Sequence, residues 1–276
     1  MNKRKHIVFI SWGKDSLAQL ILMILQGIHF DEVVYVDIRF NKKRSGEHRK
    51  MEAWIPIAKR ILWEKFGIKV KVLKAKYTFQ EYFYKQKEKG EKAGEIYGFP
   101  YTIGAWCNSR LKVQVINEYI NSLDCPVTEY VGIAYDEPWR YVDLVAKNNE
   151  KIEYRSILFE QKITEEQAFE ICRPYDLISP KYKCGGFRGG CWFCVKQCYA
   201  DLYELWREYP EDFQELVDME QESPNRFNRN IPLSEIKKRF EQGYVPKRIT
   251  KRKKIFDYDR LDEYIAARKN KKEIPE

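Results

Sequence analysis

The stretch KHIVFISWGKDS, residues 5–16, is an apolar run that ends abruptly in a short turn carrying a glycine, a lysine, an aspartate and serines. His6 to Ile10 reads as a buried strand, because consecutive β-branched and aromatic residues without polar alternation suit a sheet covered on both faces. From Asp15 the period changes, and Leu17, Leu20, Ile21, Ile24 and Leu25 recur at helical spacing. Ser11 to Ser16 is therefore a strand-to-helix turn. Such a turn aims backbone N–H groups and the positive end of a helix dipole at the carboxyl edge of a parallel sheet, where phosphates bind. Ser11, Gly13, Lys14, Asp15 and Ser16 together exceed what a tight turn needs. The glycine stretch before the lysine is too short for a Walker loop.

Outward from this stretch, strand and helix signals alternate. Val33–Ile38 is a second β-rich run; Met51, Trp54, Ile55, Ala58, Ile61 and Leu62 mark a helix face; Val70–Leu73 is a third strand. Leu111, Val115, Ile116 and Tyr119 mark another helix, and Tyr130–Ala134 a further buried strand. The alternation predicts an α/β fold with a doubly wound, mostly parallel sheet of the five-stranded type. A chain of 276 residues, 44% hydrophobic and 33% charged, can bury a sizeable core as one domain with an appendage or as two small domains. No stretch approaches the roughly 20 apolar residues of a membrane helix, and the N-terminus lacks an apolar signal region, so a soluble, cytoplasmic protein without a membrane partner is expected. The net charge of +9 favours polyanionic partners without choosing between nucleotide and nucleic acid.

Ligands of such sheets sit outside the carboxyl ends of the strands. Asp37 falls at the end of the second strand, where an acid can bond a ribose or hold a metal ion. In YGFPYTIGAWCNSRLK, residues 97–112, a proline and glycines make a loop, and Asn108 or Ser109 is expected to cap the next helix. Arg110 and Lys112 then lie in its first turns, where a bound anion relieves their conflict with the helix dipole. GIAYDEPWR, residues 132–140, ends in Asp136, Glu137 and Arg140. Thr164 and Gln167 form a capping box.

Cysteines carry the second signal. Of the seven in the chain, Cys184, Cys191, Cys194 and Cys198 fall in CGGFRGGCWFCVKQC, residues 184–198. Thiolates two residues apart can grip one metal centre, and the glycines let the backbone wrap closely round sulfur. Zinc or a four-iron, four-sulfur cluster would each accept four such thiolates. Cys191 and Cys194 are the central ligands, joined by Cys184, with Cys198 or the upstream Cys107 as the fourth. Cys125 and Cys172 sit in ordinary strand and helix contexts. The basic run VPKRITKRKKIF, residues 245–256, reads as a solvated tail or a nucleic-acid patch.

SWGKDS resembles the SGGKDS pyrophosphate loop of the adenine-nucleotide alpha hydrolases, the PP-loop family of N-type ATP pyrophosphatases and phosphoadenylyl-sulfate reductases, with Trp12 standing where glycine is usual. The 97–112 segment is similar to the family's R-x-C-T-x-x-L-K element at Cys107 and Lys112, and 132–140 to its glycine, acid and arginine cluster. The resemblance implies a Rossmann-like nucleotide-binding domain over residues 1–160. Residues 161–276 would be a cysteine-rich metal or cluster region with a helical basic tail. It implies ATP and magnesium held by Ser11, Trp12, Gly13, Lys14, Asp15, Ser16, Asp37, Arg110 and Lys112, with Lys14, Asp15, Glu137 and Arg140 catalytic. Family members in DNA phosphorothioation carry a similar GCWxC element, which tilts the metal towards an iron–sulfur cluster over zinc. The implied activity is an ATP pyrophosphatase that adenylates a substrate for sulfur incorporation, with a nucleic acid as a candidate acceptor and a sulfur-donor protein of the cysteine desulfurase type as partner. A sulfonucleotide reductase, or a module that only binds nucleotide or nucleic acid, stands as the other reading.

Overall fold

The computed structural model describes residues 3–183, 190–247 and 256–270. Five parallel strands, β1 (Lys5–Ile10), β2 (Glu32–Asp37), β3 (Val70–Lys74), β4 (Val127–Val131) and β5 (Ile152–Arg155), form one sheet in the order β3-β2-β1-β4-β5. This is the doubly wound α/β architecture that the alternation predicts. The chain winds outward from β1 in both directions, which leaves a crevice at the carboxyl ends of β1 and β4. β5, with the sequence IEYR, is half-buried throughout and carries no apolar run, so nothing in its composition announced a strand.

One face of the sheet packs against α1 (Lys14–Leu25) and α2 (Arg49–Phe66), burying Val8, Ile10, Leu17, Leu20, Ile21, Tyr35, Met51 and Leu62 in one cluster. Ala168, Cys172 and Leu177 join that cluster, so the core of the sheet layer continues past residue 160. The helix Glu165–Cys172 begins with the capping box read from the sequence: Thr164 Oγ1 accepts from Gln167 N at 3.3 Å, and Gln167 Oε1 accepts from Thr164 N at 2.9 Å. The other face buries Ile7, Phe9, Val34 and Val127 together with Ile120. A separate, aromatic-rich cluster of Phe40, Phe79, Phe83, Phe99, Trp192, Phe193 and Phe213 joins the cysteine loop to the helices Tyr199–Glu208, Pro210–Glu222 and Leu233–Glu241.

The segment after the 97–104 loop differs from expectation. Helix starts at Trp106 with Ala105 as its N-cap, and neither Asn108 nor Ser109 caps it. Both lie inside a run that passes through a π-helical stretch, Ser109–Val113, before continuing as Gln114–Asn121. Such wide turns are rare and concentrate at functional sites.

The end of β4 touches the β1–α1 turn directly: a Cβ on Gly132 would lie 2.6 Å from both the carbonyl carbon of Asp15 and the nitrogen of Ser16. Backbone on both sides cannot yield cheaply. Gly132→Ala is expected to cost about 1–3 kcal/mol and lower the urea midpoint. Gly190→Ala, which meets nothing within 4 Å, should unfold as the parent does. A parental midpoint for Gly132→Ala would show that the turn moves aside freely.

Candidate functional site

The turn after β1 is held by its own serines. Ser16 Oγ accepts from Ser11 N at 3.1 Å and donates to the Gly13 carbonyl at 3.0 Å, while Leu17 N donates to the same carbonyl at 3.1 Å. Gly13 is the N-cap of α1 and no side chain caps it, so the first amides of the helix are left for another acceptor. Trp12 carries the turn in a left-handed conformation, φ 58°, but its ring is fully buried against Tyr35. Its side chain belongs to the core, and only its backbone shapes the turn.

Lys14 is buried, with Nζ 2.8 Å from Asp15 Oδ1 and 3.0 Å from Glu165 Oε1. Burial pulls its pKa down, yet the two carboxylates outweigh that and leave it raised. Burial also pushes the Asp15 carboxyl up, with Lys14 opposing and Glu137 and Glu165 adding to it. Oxygen atoms of Asp15, Glu137 and Glu165 lie within 4.8 Å of one another, a hard donor set of the kind that suits magnesium. Arg140 Nη1 donates to Glu137 Oε2 at 2.7 Å, three residues apart on one exposed helix turn.

A cavity of about 210 Å³ opens beside the turn and is lined by Ser11, Ser16, Tyr35, Glu47, Lys112, Glu129, Gly132, Arg140 and Cys191. Its charges are unevenly satisfied. Glu47 Oε1 accepts from Tyr35 OH at 2.8 Å, and burial raises its pKa. Glu129, on β4, is buried with Oε2 lacking any partner, and burial pushes its pKa to about 7, with Lys112 and Lys147 opposing. Lys112 makes no hydrogen bond or ion pair among the described residues; burial, and then the nearby Arg140, lower its pKa.

A second cavity, about 250 Å³, adjoins the first and shares Ile38, Lys112, Gly190 and Cys191 with it. Cys107, Cys191 and Cys194 all line this second space. Burial raises the Cys107 thiol to about 11 and the Cys191 thiol further. Cys194 adds to both, and Glu47 and Cys107 add to Cys191. His48 also lines it, with Nε2 unpartnered and a pKa lowered to about 4 by burial and by Lys181.

The sequence-predicted residues therefore divide. Ser11, Gly13, Lys14, Asp15, Ser16, Glu137, Arg140, Lys112, Cys107, Cys191 and Cys194 gather on one edge of the sheet. Asp37 instead lies near Arg39, 3.9 Å, and Lys74, 4.0 Å, and lines neither cavity. Arg110 is exposed, because residues two apart on a helix face different sides and Lys112 takes the inner one. Cys198 is exposed with Sγ 3.3 Å from Asp201 Oδ2, outside the lining of the cysteine cavity. Cys184 and most of the basic run, residues 248–255, lie outside the described residues. Glu47, His48, Glu129 and Glu165 were not singled out from sequence; a lone acid on a β-rich run, TEYV at Glu129, was the one available sign.

No family model matches the chain, and no curated protein matches it. Among solved structures it is similar to the U34-tRNA thiolase NcsA from Methanococcus maripaludis with its 4Fe-4S cluster, at 12% identity and a TM-score of 0.40, over 95% of this chain and 80% of that one. Among the described residues no helix is long and apolar enough to cross a membrane.

Glu129 gives this site a pH signature. Its folded pKa, about 7, lies above the ordinary value of 4.5, so its contribution is fully present below about pH 4.5 and is lost as pH rises through 7. Glu129→Gln cannot ionise and should escape that loss. The stability difference between the two proteins, read from urea midpoints, should shift in favour of the glutamine by up to about 3 kcal/mol between pH 5 and pH 8. A constant difference would mean that Glu129 titrates normally.

Proposed function

We propose that this protein is an ATP pyrophosphatase of the PP-loop type that adenylates an acceptor for sulfur incorporation, with a nucleic acid as the acceptor. The observation that carries this reading is the continuity of two cavities: a phosphate-binding turn with acidic groups on one side, a gathering of thiols on the other, and Lys112 and Cys191 common to both. An activated acceptor oxygen and a source of sulfur must meet at one atom, and only a shared space allows it.

In the reaction the acceptor oxygen attacks the α-phosphorus, the bond to the bridging oxygen of the β-phosphate breaks, and pyrophosphate leaves. The uncapped first-turn amides of α1 and Ser11 hold phosphate oxygens, and Lys14 neutralises charge growing on the leaving group. Asp15, Glu137 and Glu165 are the residues that would hold magnesium. Lys112, unpaired among the described residues and beside Cys191, is placed to hold the α-phosphate oxygens or to stabilise a thiolate. Cys107, Cys191 and Cys194, which line one cavity, would hold an iron–sulfur cluster. Bound there, it would pass on sulfur brought by a donor protein, beside the activated acceptor. The fourth thiolate is Cys184 or another group, since Cys198 turns to Asp201.

Lys14→Ala should reduce pyrophosphate release by about 10²–10³-fold, measured with ATP, magnesium and acceptor under anaerobic conditions. Unchanged turnover would remove the loop from the chemistry. Sulfite formed from adenylyl-sulfate or its 3′-phosphorylated form in a parallel incubation would assign the protein to sulfonucleotide reduction instead.

The anaerobic protein should be brown and contain iron. Serine at Cys107, Cys191 or Cys194 should each release that iron, whereas Cys198→Ser should keep it. A colourless protein holding one zinc ion would overturn the cluster.

A further inference from the structure

The loop that leads into Cys107 carries the two most exposed large apolar side chains among the described residues, Tyr101 at 64% and Ile103 at 87%. The base of this loop is fixed. Asn225 Nδ2 donates to the carbonyls of Tyr97 and Phe99 at 3.3 and 3.1 Å, and Phe99 N donates to Ser223 Oγ at 2.9 Å. At Gly98 the two loops are so close that a Cβ would lie 2.4 Å from Ser223 Oγ. A rigid base under an exposed tyrosine and isoleucine keeps open a groove of about 690 Å³ that includes Tyr101, Thr102, Ile103, Arg226, Phe227 and Arg229 in its lining.

The lining contains no carboxylate, and neither arginine makes an ion pair among the described residues; Arg226 donates only to the Asn230 carbonyl, at 3.4 Å. Unpaired guanidinium groups beside an exposed aromatic ring match the chemistry of single-stranded nucleic acid, in which bases stack and phosphates need cations. A protein partner would call for a broader apolar floor with charged residues at the rim. Place matters as much as chemistry. Gly104, φ +67°, turns the chain, so Ile103 and Ala105 are separated by at most about 7 Å of backbone. Ala105, Cys107 and Asn108 line the cysteine cavity.

We propose that this groove is the docking surface for a single-stranded nucleic-acid segment, with a base stacked on Tyr101, phosphates on Arg226 and Arg229, and the strand running past Gly104 into the cysteine cavity. The proposal rests on the nucleic-acid acceptor read above, and its test separates the two.

The experiment is fluorescence anisotropy of a labelled, mixed-sequence single-stranded oligonucleotide of roughly 16 nucleotides, titrated with the full chain at several salt concentrations. Tyr101→Ala should weaken binding about ten-fold while Tyr101→Phe retains it. The double variant Arg226→Ala/Arg229→Ala should flatten the slope of log Kd against log salt by about 1.4. All three should keep the parent's thermal midpoint and ATP affinity, since none of these side chains lines either cavity at the sheet edge. Parental affinity and slope in both alanine variants, with the parent binding tightly, would overturn the groove and leave the acceptor reading standing. A parent that binds no oligonucleotide at any salt, yet releases pyrophosphate from ATP, would overturn the nucleic-acid acceptor together with the groove. Capture of an apolar peptide in place of the oligonucleotide, lost in Tyr101→Ala, would give the groove to a protein partner and overturn the proposal.

Discussion

The site depends on one seam of backbone. Glu47 and Cys191 form an antiparallel bridge, Trp192 N donates to the Gly46 carbonyl at 3.0 Å, and Trp192 Nε1 donates to the Ser45 carbonyl at 3.2 Å. This seam lays the cysteine loop, distant in sequence, across the carboxyl edge of the sheet. It tolerates no side chain at Gly46, where a Cβ would lie 2.3 Å from the Ile38 carbonyl oxygen. Arg44 locks it from the far side. Its guanidinium lies over Trp192 at 4.6 Å and Phe40 at 5.0 Å and reaches the buried Asp212 at 2.6 Å and also Glu215. Arg49 completes the pairing of Asp212 at 2.7 Å. A buried carboxylate with two guanidinium partners is costly to disturb, because removing either leaves charge uncompensated. The helical region is thereby fastened to the loop that follows β2, and through it to the cysteines.

Satisfaction of polar groups is uneven across the molecule: Trp12 Nε1, Gln19 Nε2 and Trp139 Nε1 are buried without partners elsewhere, and a further group gathers along the crevice. In the aromatic cluster and under α2, charges are paired, as Lys50 is with Glu204 at 2.8 Å and with Glu208 at 2.6 Å. Along the crevice some are paired, as Lys14 is with Asp15 and Glu165, and others are not. Glu129 has a bare oxygen, Lys112 has no partner among the described residues, His48 has a bare nitrogen, and three thiols crowd one cavity. Folding alone would not select this arrangement, since each such group opposes stability. Uncompensated groups that share one space are the expected signature of a site whose partners arrive with the substrate.

How much of this was legible depended on whether local sequence or tertiary packing decided the outcome. The strand His6–Ile10, the turn to Ser16 and the helix from Lys14 were legible because an unbroken apolar run followed by helical spacing fixes them locally. Thr164 and Gln167 were legible for the same reason. Trp12 was not: its place in the loop implied a position at the ligand, but a ring that size beside Tyr35 gains more from burial than from lining a polar crevice. Asn108 and Ser109 looked like caps by type, yet the helix had already begun at Trp106, on the aromatic contacts of its ring with Phe79 and Tyr82. Asp37 lies beside Arg39, two residues on, and Lys74, its neighbour across the sheet. Glu129 was hidden by the boundary: the sequence places the strand at Tyr130–Ala134, whereas β4 runs Val127–Val131 and takes Glu129 in, beside the cavity.

The π-helical stretch ties these threads together. Lys112 and Arg110 both follow Cys107 within one short segment, and in a regular helix a lysine five residues beyond a cysteine would sit well round the axis from it. A π turn winds more residues into each revolution, which brings positions five apart back towards one side. Cys107 and Lys112 line the same cysteine cavity, and Arg110 is left outside. The wide turn sets a cation between the thiols and the turn after β1. One lysine, carried inward by an irregular turn, lines both cavities at this edge of the sheet.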